Sequence, residues 1–383
     1  MAFTGKATYT GGVALPEIAE DVADLVGIIS PFETPLLDHL GDPLRAAHSI
    51  MHEWLEDSLL PNTDAIAFTF THPTTDATFG VANVDRFRAG DQIAPAGSNE
   101  RLLVTAVNAD GSQITVVRGY GGTAAAALAD GQELTILGNA ALEGDDADAA
   151  RFTVRSRQSN YTQIFSKTIT VSGSELAVKQ IALADELDYQ KQERLRELLR
   201  DLENTVINGV APAANATGSA STRRTMGGLL GFVQSNRFAP GDGTLPAGPL
   251  TEAMLNLALR TIWENSAGKV DTILVGGSQK RQINAFITTQ QRYATSQTAT
   301  YRDMVGVYES DFGVCRVVLS RYVPADKVLL LDSSRLAVLP LAGRSFHYRP
   351  LASTGDFETG QVIGEYTLEL RNQAAHGVIG GLS

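Results

Sequence analysis

An α+β protein carrying one unusually long helix is predicted from three observations. Residues 172–209, SGSELAVKQIALADELDYQKQERLRELLRDLENTVING, run without proline from candidate caps at Ser172 and Ser174 to a stop at Asn208-Gly209 ahead of Pro212. From Ala65 to Leu142 the chain changes to short β-type runs separated by glycine turns. Beyond Leu250, amphipathic helices alternate with apolar strands, the pattern of a compact α/β unit.

The long helix would span roughly 50 Å, beyond what an ordinary core uses. Its apolar stripe is narrow: Leu187, Leu195, Leu198, Leu202 and Val206, with Leu199 beside them. Opposite charges at i,i+3 support its middle, pairing Asp188 with Lys191, Glu193 with Arg196 and Glu197 with Arg200. A spine lying across the subunit's own sheet fits this pattern, with Arg194, Arg196 and Arg200 toward solvent or neighbouring subunits. A coiled coil or domain-bridging helix is the plainer alternative.

Composition narrows the function. The 383 residues, 43% hydrophobic and 19% charged, describe a folded chain of two or three domains. The net charge of −12, from 43 acids and 31 bases, speaks against a dedicated nucleic-acid binder but not against a protein that encloses nucleic acid. Cys315 has no partner for an internal disulfide, and in the apolar run FGVCRVVL it reads as a buried structural thiol of a reducing compartment. MAFTGKATYTGG lacks a signal-peptide core and no apolar run approaches about 18 residues, so synthesis in the cytosol and no membrane span are expected.

Taken in order, residues 1–14 read as an extended arm, and PEIAEDVADLVGIISP as a short amphipathic helix ended by Ser30-Pro31. Pro31, Pro35 and Pro43 force an irregular path, after which EWLEDSLL reads as a strand. AIAFTFTHP, FRAGDQIAP, the hairpin LLVTAVNADGSQITVV and GQELTILGNA make a β subdomain of roughly sixty residues and about five strands, inserted between two strands of the larger body. Its turns are placed at Asp110-Gly111, where positive φ is expected, and at Gly119 and Gly121. LTEAMLNLALRTIWENSA is a helix capped by Thr251, with Met254, Leu255, Ala258, Leu259 and Ile262 inward. VDTILVGG follows as a buried strand, then a helix capped by Ser278, further strands at VCRVVL and KVLLL, and a closing strand alternating at Tyr366, Leu368 and Leu370.

No pattern of a catalytic, metal or cofactor site emerges. His48 and His52 lack the intervening glutamate and third ligand of a zinc helix. Gly119, Gly121 and Ala124 match G-x-G-x-x-A, but no crossover helix follows, so a glycine-rich turn is the reading. Phosphate loops and nucleophile elbows are absent. Glu53, Glu56 and Asp57 around Trp54, the one cluster a hydrolase could use, read as surface or interface charge. Arg223-Arg224, Lys280-Arg281 and Arg316 with Arg321 read as solvated faces or subunit salt bridges, as does Glu197 on the long helix.

The order of local phrases resembles the major capsid proteins of tailed bacteriophages, the fold named after phage Hong Kong 97. They are FETPLLDHLG, EWLEDSL, AGDQIAP with LLVTAVN and VVRGYGGT, NYTQIF before VSGS, LRELLRDLENTVING, and GEYTLELRNQAAHGVIGGL. They look like the subgroup with a β insertion in the extended loop (E-loop). The resemblance implies an arm and short helix over 1–34, the start of a peripheral (P) domain over 35–64, and the E-loop with its insertion over 65–150. P-domain strands and a spine helix (about 174–208) follow over 151–215, an axial (A) domain over 216–332, and a return to the P-domain with a C-terminal strand over 333–383. It further implies pentamers and hexamers of the chain itself, assembled in the host cytoplasm into an icosahedral virion shell. That shell encloses double-stranded DNA without sequence-specific binding, alongside scaffold, portal and decoration partners. The scaffolding region of the fold's founding member is not seen, which leaves both a segment cleaved before Met1 and a separate scaffold protein open. An encapsulin-like compartment is the alternative of the same fold.

Overall fold

The computed structural model describes residues 33–43, 45–67, 76–144, 150–178, 185–214, 216–241, 243, 245–291 and 306–382. The expected arm and the helix after Pro16 lie outside the described residues, as does FTFTHP. The chain divides into two units, one made of Leu55–Ser156 and the other of the segments on either side. The first described elements are helix α1 (Pro35–Leu40), whose leading proline needs no amide partner, and strand β1 (Met51–Glu56), where EWLEDSLL was expected to be extended.

Within Leu55–Ser156, strands β2 (Thr63–Ala65), β3 (Thr78–Gly80), β4 (Asp91–Pro95), β5 (Leu102–Asn108), β6 (Gln113–Val117) and β7 (Glu133–Asn139) form an antiparallel sheet in the order β2-β7-β4-β5-β6-β3. Its two edges meet. Ile66, directly after β2, bridges Val81, directly after β3, and the Ala82 amide donates to the Ala65 carbonyl at 2.9 Å. The sheet thus closes into a small barrel, which removes the edges on which another chain could pair. Phe79, Phe87, Ile93, Leu102, Ile114 and Leu134 fill it. Six strands replace the five expected because β2 and β3, at three residues each, are too short to show a period of two. In the β5–β6 turn the positive φ falls on Ser112 (48°) and not on Gly111, whose amide donates to Asn108 Oδ1 at 3.3 Å. Gly119 and Gly121 are left-handed (φ 62° and 70°), and a Cβ on Gly119 would stand 2.7 Å from the Thr123 carbonyl oxygen. RGYGGTA is therefore a turn of the barrel.

The second unit continues with β8 (Ser156–Tyr161), paired with β1 in a two-stranded ribbon, then β9 (Gln163–Ser172), α2 (Gly173–Ala177), α3 (Glu186–Asn208), α4 (Leu229–Phe232), β10 (Arg237–Phe238), α5 (Glu252–Asn265), β11 (Thr272–Val275) and α6 (Gly277–Gln291). Strands β12 (Val307–Ser310), β13 (Gly313–Leu319), β14 (Val328–Leu331), β15 (Leu336–Pro340), β16 (His347–Leu351), β17 (Phe357–Leu370) and β18 (Gly377–Ile379) complete it.

The single helix expected over about 174–208 is corrected to two. Ser172 Oγ caps α2 by accepting the Glu175 amide (3.2 Å), but α2 ends within one turn and more at Val178, whose backbone is extended. Asp185, also extended, starts a new helix: its carboxylate accepts the amides of Leu187 (2.8 Å) and Asp188 (3.2 Å). A capping aspartate satisfies amides that would be orphaned at a helix start, so it marks a beginning. The 23 residues of α3 span about 35 Å. Asp188–Lys191 and Glu193–Arg196 pair at 2.7 Å as expected; Glu197 takes Arg194 (2.9 Å) in place of Arg200, which turns to Asp201 (3.7 Å). Gly209 ends α3 at ordinary negative φ. Glycine is needed there for space, since a Cβ would lie 2.4 Å from the Thr205 carbonyl oxygen and 2.7 Å from that of Met226.

Two sheets build the core around α3. In the first, the 14-residue β17 is lined along one edge by β9 and along the other by β16 and then β15, all antiparallel. Leu198, Leu202 and Val206 of α3 lie against this sheet with Phe165, Ile169, Val362, Leu368 and Leu370, while Leu187 and Leu195 are partly buried at its margin. Each fully buried side chain contributes about 1.5–3 kcal/mol. Ile207 is as fully buried as Val206, so the stripe is wider than the leucine spacing indicated. The second sheet has the order β10-β18-β14-β11-β13-β12, with β11 parallel to β13 and antiparallel to β14.

Helix α5, capped by Thr251 Oγ1 accepting the Met254 amide (3.3 Å), packs its five expected inward residues on one face of that second sheet. Ile273, Val275, Val328 and Leu330 point into this cluster, and Leu274, Leu329 and Leu331 into the one beneath α3. Strands covered on both faces need no polar side, hence their unbroken apolar runs. α6 begins at Gly277, so Ser278 lies inside its first turn and does not precede it; Lys280, expected on a solvated face, is buried. β18 joins β14 and β10, which divides the closing segment between the two sheets.

Candidate functional site

The chemistry of this chain is concentrated in buried carboxylates that the sequence did not single out. β17 presents Leu368 and Leu370 to α3, yet its opposite face is buried as well, with Glu365, Thr367 and Glu369 at 3%, 0% and 2% exposure. A polar seam covers it. Thr162 Oγ1 donates to Glu365 Oε1 at 2.6 Å, Arg224 donates to the same oxygen, and Arg344 Nε lies 2.8 Å from Oε2. Arg224 also donates Nε–H to the Thr162 carbonyl (2.6 Å), so its expected place among surface or intersubunit charges is corrected: the loop after α3 folds it inward to neutralise a buried glutamate. Its neighbour Arg223 is exposed.

Farther along the same face, Glu369 holds His52 Nε2 at 2.7 Å, Arg45 at 3.1 Å and Arg371 at 3.3 Å. The His52 hydrogen bond, acting against burial and aided by Arg45, holds its carboxyl down at about 2. His52 is thus committed to β17 and, among the described residues, no group of three or more metal-ligating side chains converges. The acids near Trp54 divide: Glu53 faces Arg157 (3.6 Å), while Asp57 accepts from Thr153 Oγ1 (2.7 Å) and lies 3.5 Å from Arg155.

Two more buried glutamates stand apart. In the barrel, Glu100 accepts Nε–H and Nη2–H of Arg118 (2.8 and 2.9 Å) and the amides of Gly119 and Ala126 (3.0 and 2.9 Å). Burial favours its neutral form, but Arg118 and the two amides outweigh it and hold the carboxyl below its usual range. On α3, Glu203 accepts the amides of Leu36 and Leu37 and the hydroxyl of Ser320, with no cation among the described residues, and burial pushes its carboxyl up.

His39 and Thr272, 2.7 Å apart, look like a base beside a nucleophile, but the geometry runs the other way. Arg316 donates to His39 Nδ1 (3.4 Å), which leaves the ring proton on Nε2, and the Thr272 hydroxyl donates its hydrogen bond to Asp271 (2.9 Å). Thr272 is also fully buried. Cys315 donates Sγ–H to the Val270 carbonyl, and burial raises its thiol to about 11, so it carries no thiolate at neutral pH.

The remaining expected residues lie at the surface or partly so: Arg194, Arg196, Glu197 and Arg200 are half-exposed along α3, and Asp110 with Gly111 caps an exposed turn. An unexpected surface feature lies within Leu55–Ser156. Leu59, Phe152 and Val154 are 93%, 85% and 83% exposed, and Leu59, Leu60 and Phe152 line one cleft of about 380 Å³ with Asp57 and Thr153. No helix among the described residues is long and apolar enough to cross a membrane.

A family model described as SU10 major capsid protein matches residues 3–383. No curated protein sequence matches significantly. Among solved structures, the holo-SrpI encapsulin complex from Synechococcus elongatus PCC 7942 is 13% identical at a TM-score of 0.44, over 60% of this chain and 78% of that one. A structure from Microbacterium phage Oxtober96 is 13% identical at 0.44, over 63% and 80%. The Phage G gp27 major capsid proteins with gp26 decoration proteins are 12% identical at 0.40, over 64% and 80%.

Proposed function

The chain belongs to the SU10 major capsid protein family, and from that membership we propose that copies of it assemble, as pentamers and hexamers, into a closed icosahedral shell around double-stranded DNA. In this reading the sheet under α3 is the P-domain of a Hong Kong 97-type subunit, the six-stranded mixed sheet its A-domain, and the barrel an insertion in its E-loop. The work of such a protein is structural, and its first partner is itself; scaffold, portal and decoration proteins belong to the same proposal.

The observation that carries self-assembly is the set of Leu59, Phe152 and Val154, large apolar side chains left almost wholly in water on a unit whose core is filled. Contiguous exposed apolar surface marks a place where another surface belongs. Half-exposed Arg194, Arg196, Glu197, Arg200 and the exposed Arg223 supply charge for further contacts between subunits. Interfaces of about 1,200–2,000 Å² repeated around a shell hold it together without any single strong contact. With a net charge of −12 the chain has no overall attraction for DNA, in keeping with enclosure rather than specific binding.

Electron microscopy of the purified chain tests the reading: shells of uniform size are expected. Phe152→Asp should leave folded chains that sediment as small species. A wild type that stays a small oligomer under all assembly conditions would sink the shell, and normal shells from the variant would remove the patch from the interface.

A further inference from the structure

Glu203 stands where three elements meet. It belongs to α3, its Oε2 accepts the amides of Leu36 (3.1 Å) and Leu37 (3.2 Å) at the start of α1, and its Oε1 accepts Ser320 Oγ (3.0 Å) just beyond β13. The side chain is fully buried, and among the described residues no lysine, arginine or histidine pairs with it. The charges around it are engaged elsewhere or repel it. Arg200 on α3 turns to Asp201 (3.7 Å), Arg321 pairs with Glu33 (3.0 Å), and His39 on α1 is held by Thr272. Asp38 on α1 adds a like charge, and Tyr322 supplies a neutral phenol.

We propose that Glu203 is a proton-operated latch that holds α1 against α3 when neutral and loosens it when ionised. As an acid, Glu203 keeps both amide bonds on Oε2 and donates its proton from Oε1 to Ser320 Oγ, whose hydroxyl reverses from donor to acceptor. Both carboxyl oxygens keep a partner and no charge is buried, at the expense of the bond that the Ser320 hydroxyl donated to the carboxylate. Ionised, it leaves a negative charge in an apolar core with dipoles alone to meet it, and hydration of that charge requires α1 to lift. A six-residue helix has no stability of its own, so its position depends on this docking and on Leu36. The sign follows from the direction of the shift: burial raises the folded carboxyl above its unfolded value. The contribution is therefore fully present below the unfolded value and is lost as pH rises through the folded one.

Hydrogen exchange of the full-length chain, read on the segment Thr34–Leu40 between about pH 5 and 8.5 and corrected for intrinsic base catalysis, tests the latch. A loss of about tenfold in protection is expected on ionisation. Glu203→Gln, which keeps an acceptor for the amides and a donor for Ser320, should stay protected throughout. A flat wild-type profile, or the same slope in both proteins, overturns the proposal. Should Glu203→Gln fail to fold, Asp38→Asn at an exposed position serves instead: removing the like charge should move the midpoint to lower pH, and an unmoved midpoint counts against the latch equally.

Discussion

Glu100 in the barrel and Glu203 on α3 are buried to the same degree, at 1% and 0% exposure, and each receives backbone amides from a turn or helix start. They differ in one partner. Burial opposes ionisation at both sites. Arg118 reverses the balance at Glu100, whereas Glu203, with two amides, one hydroxyl and Asp38 nearby, stays raised. Hydrogen bonds alone do not replace the water that a carboxylate loses on burial; a cation at bonding distance does. The barrel carries a locked ion pair and α3 a group that can still change charge, which divides rigidity from responsiveness within one chain.

The largest test of that contrast makes Glu100 resemble Glu203. Arg118→Ala strands a buried carboxylate and should cost about 3–5 kcal/mol, seen as an early transition in scanning calorimetry. Neutralising both partners, Arg118→Met with Glu100→Gln, should recover more than half of it. A single variant that melts with the wild type would show that Arg118 is dispensable.

Glu369, with two arginines and His52, extends the comparison beyond Glu100. Its folded carboxyl lies at about 2 against an ordinary 4.5, so its contribution is present above 4.5 and disappears as pH falls toward 2. The gap amounts to about 3 kcal/mol, and urea midpoints measured from about pH 6 to 2.5 should fall accordingly. Glu369→Gln should flatten that fall. An equally steep variant would assign the acid sensitivity to other groups.

The smallest effect sharpens the Glu203 side. Ser320→Ala removes one donor to the carboxylate and should cost about 1 kcal/mol in equilibrium unfolding, more at high pH than at low. Equal costs at both ends of the range would mean that Ser320 does not sense the charge of Glu203.

How much of this was legible in the residues depends on how far apart the interacting groups lie along the chain. The inward residues of α5, the β5–β6 hairpin and the burial of Cys315 were readable, because periodicity and turn chemistry act within a few residues of one another. The break before α3 was written in Asp185, a cap signal passed over in favour of the proline-free length around it. Arg224 gave no local hint of its inward turn, since Glu365 lies far along the sequence.

The sequence by itself determined the amphipathic helices and the longer strands, though not every break between them, and the family to which their order points. It could not decide that β2 and β3 meet to close a barrel, nor that glutamates spaced like surface residues at 203, 365 and 369 lie under other segments. Local pattern reports which face of an element is apolar. Whether its polar face meets water or another segment is decided only when distant parts of the chain pack, and with it the charge state of every carboxylate discussed above.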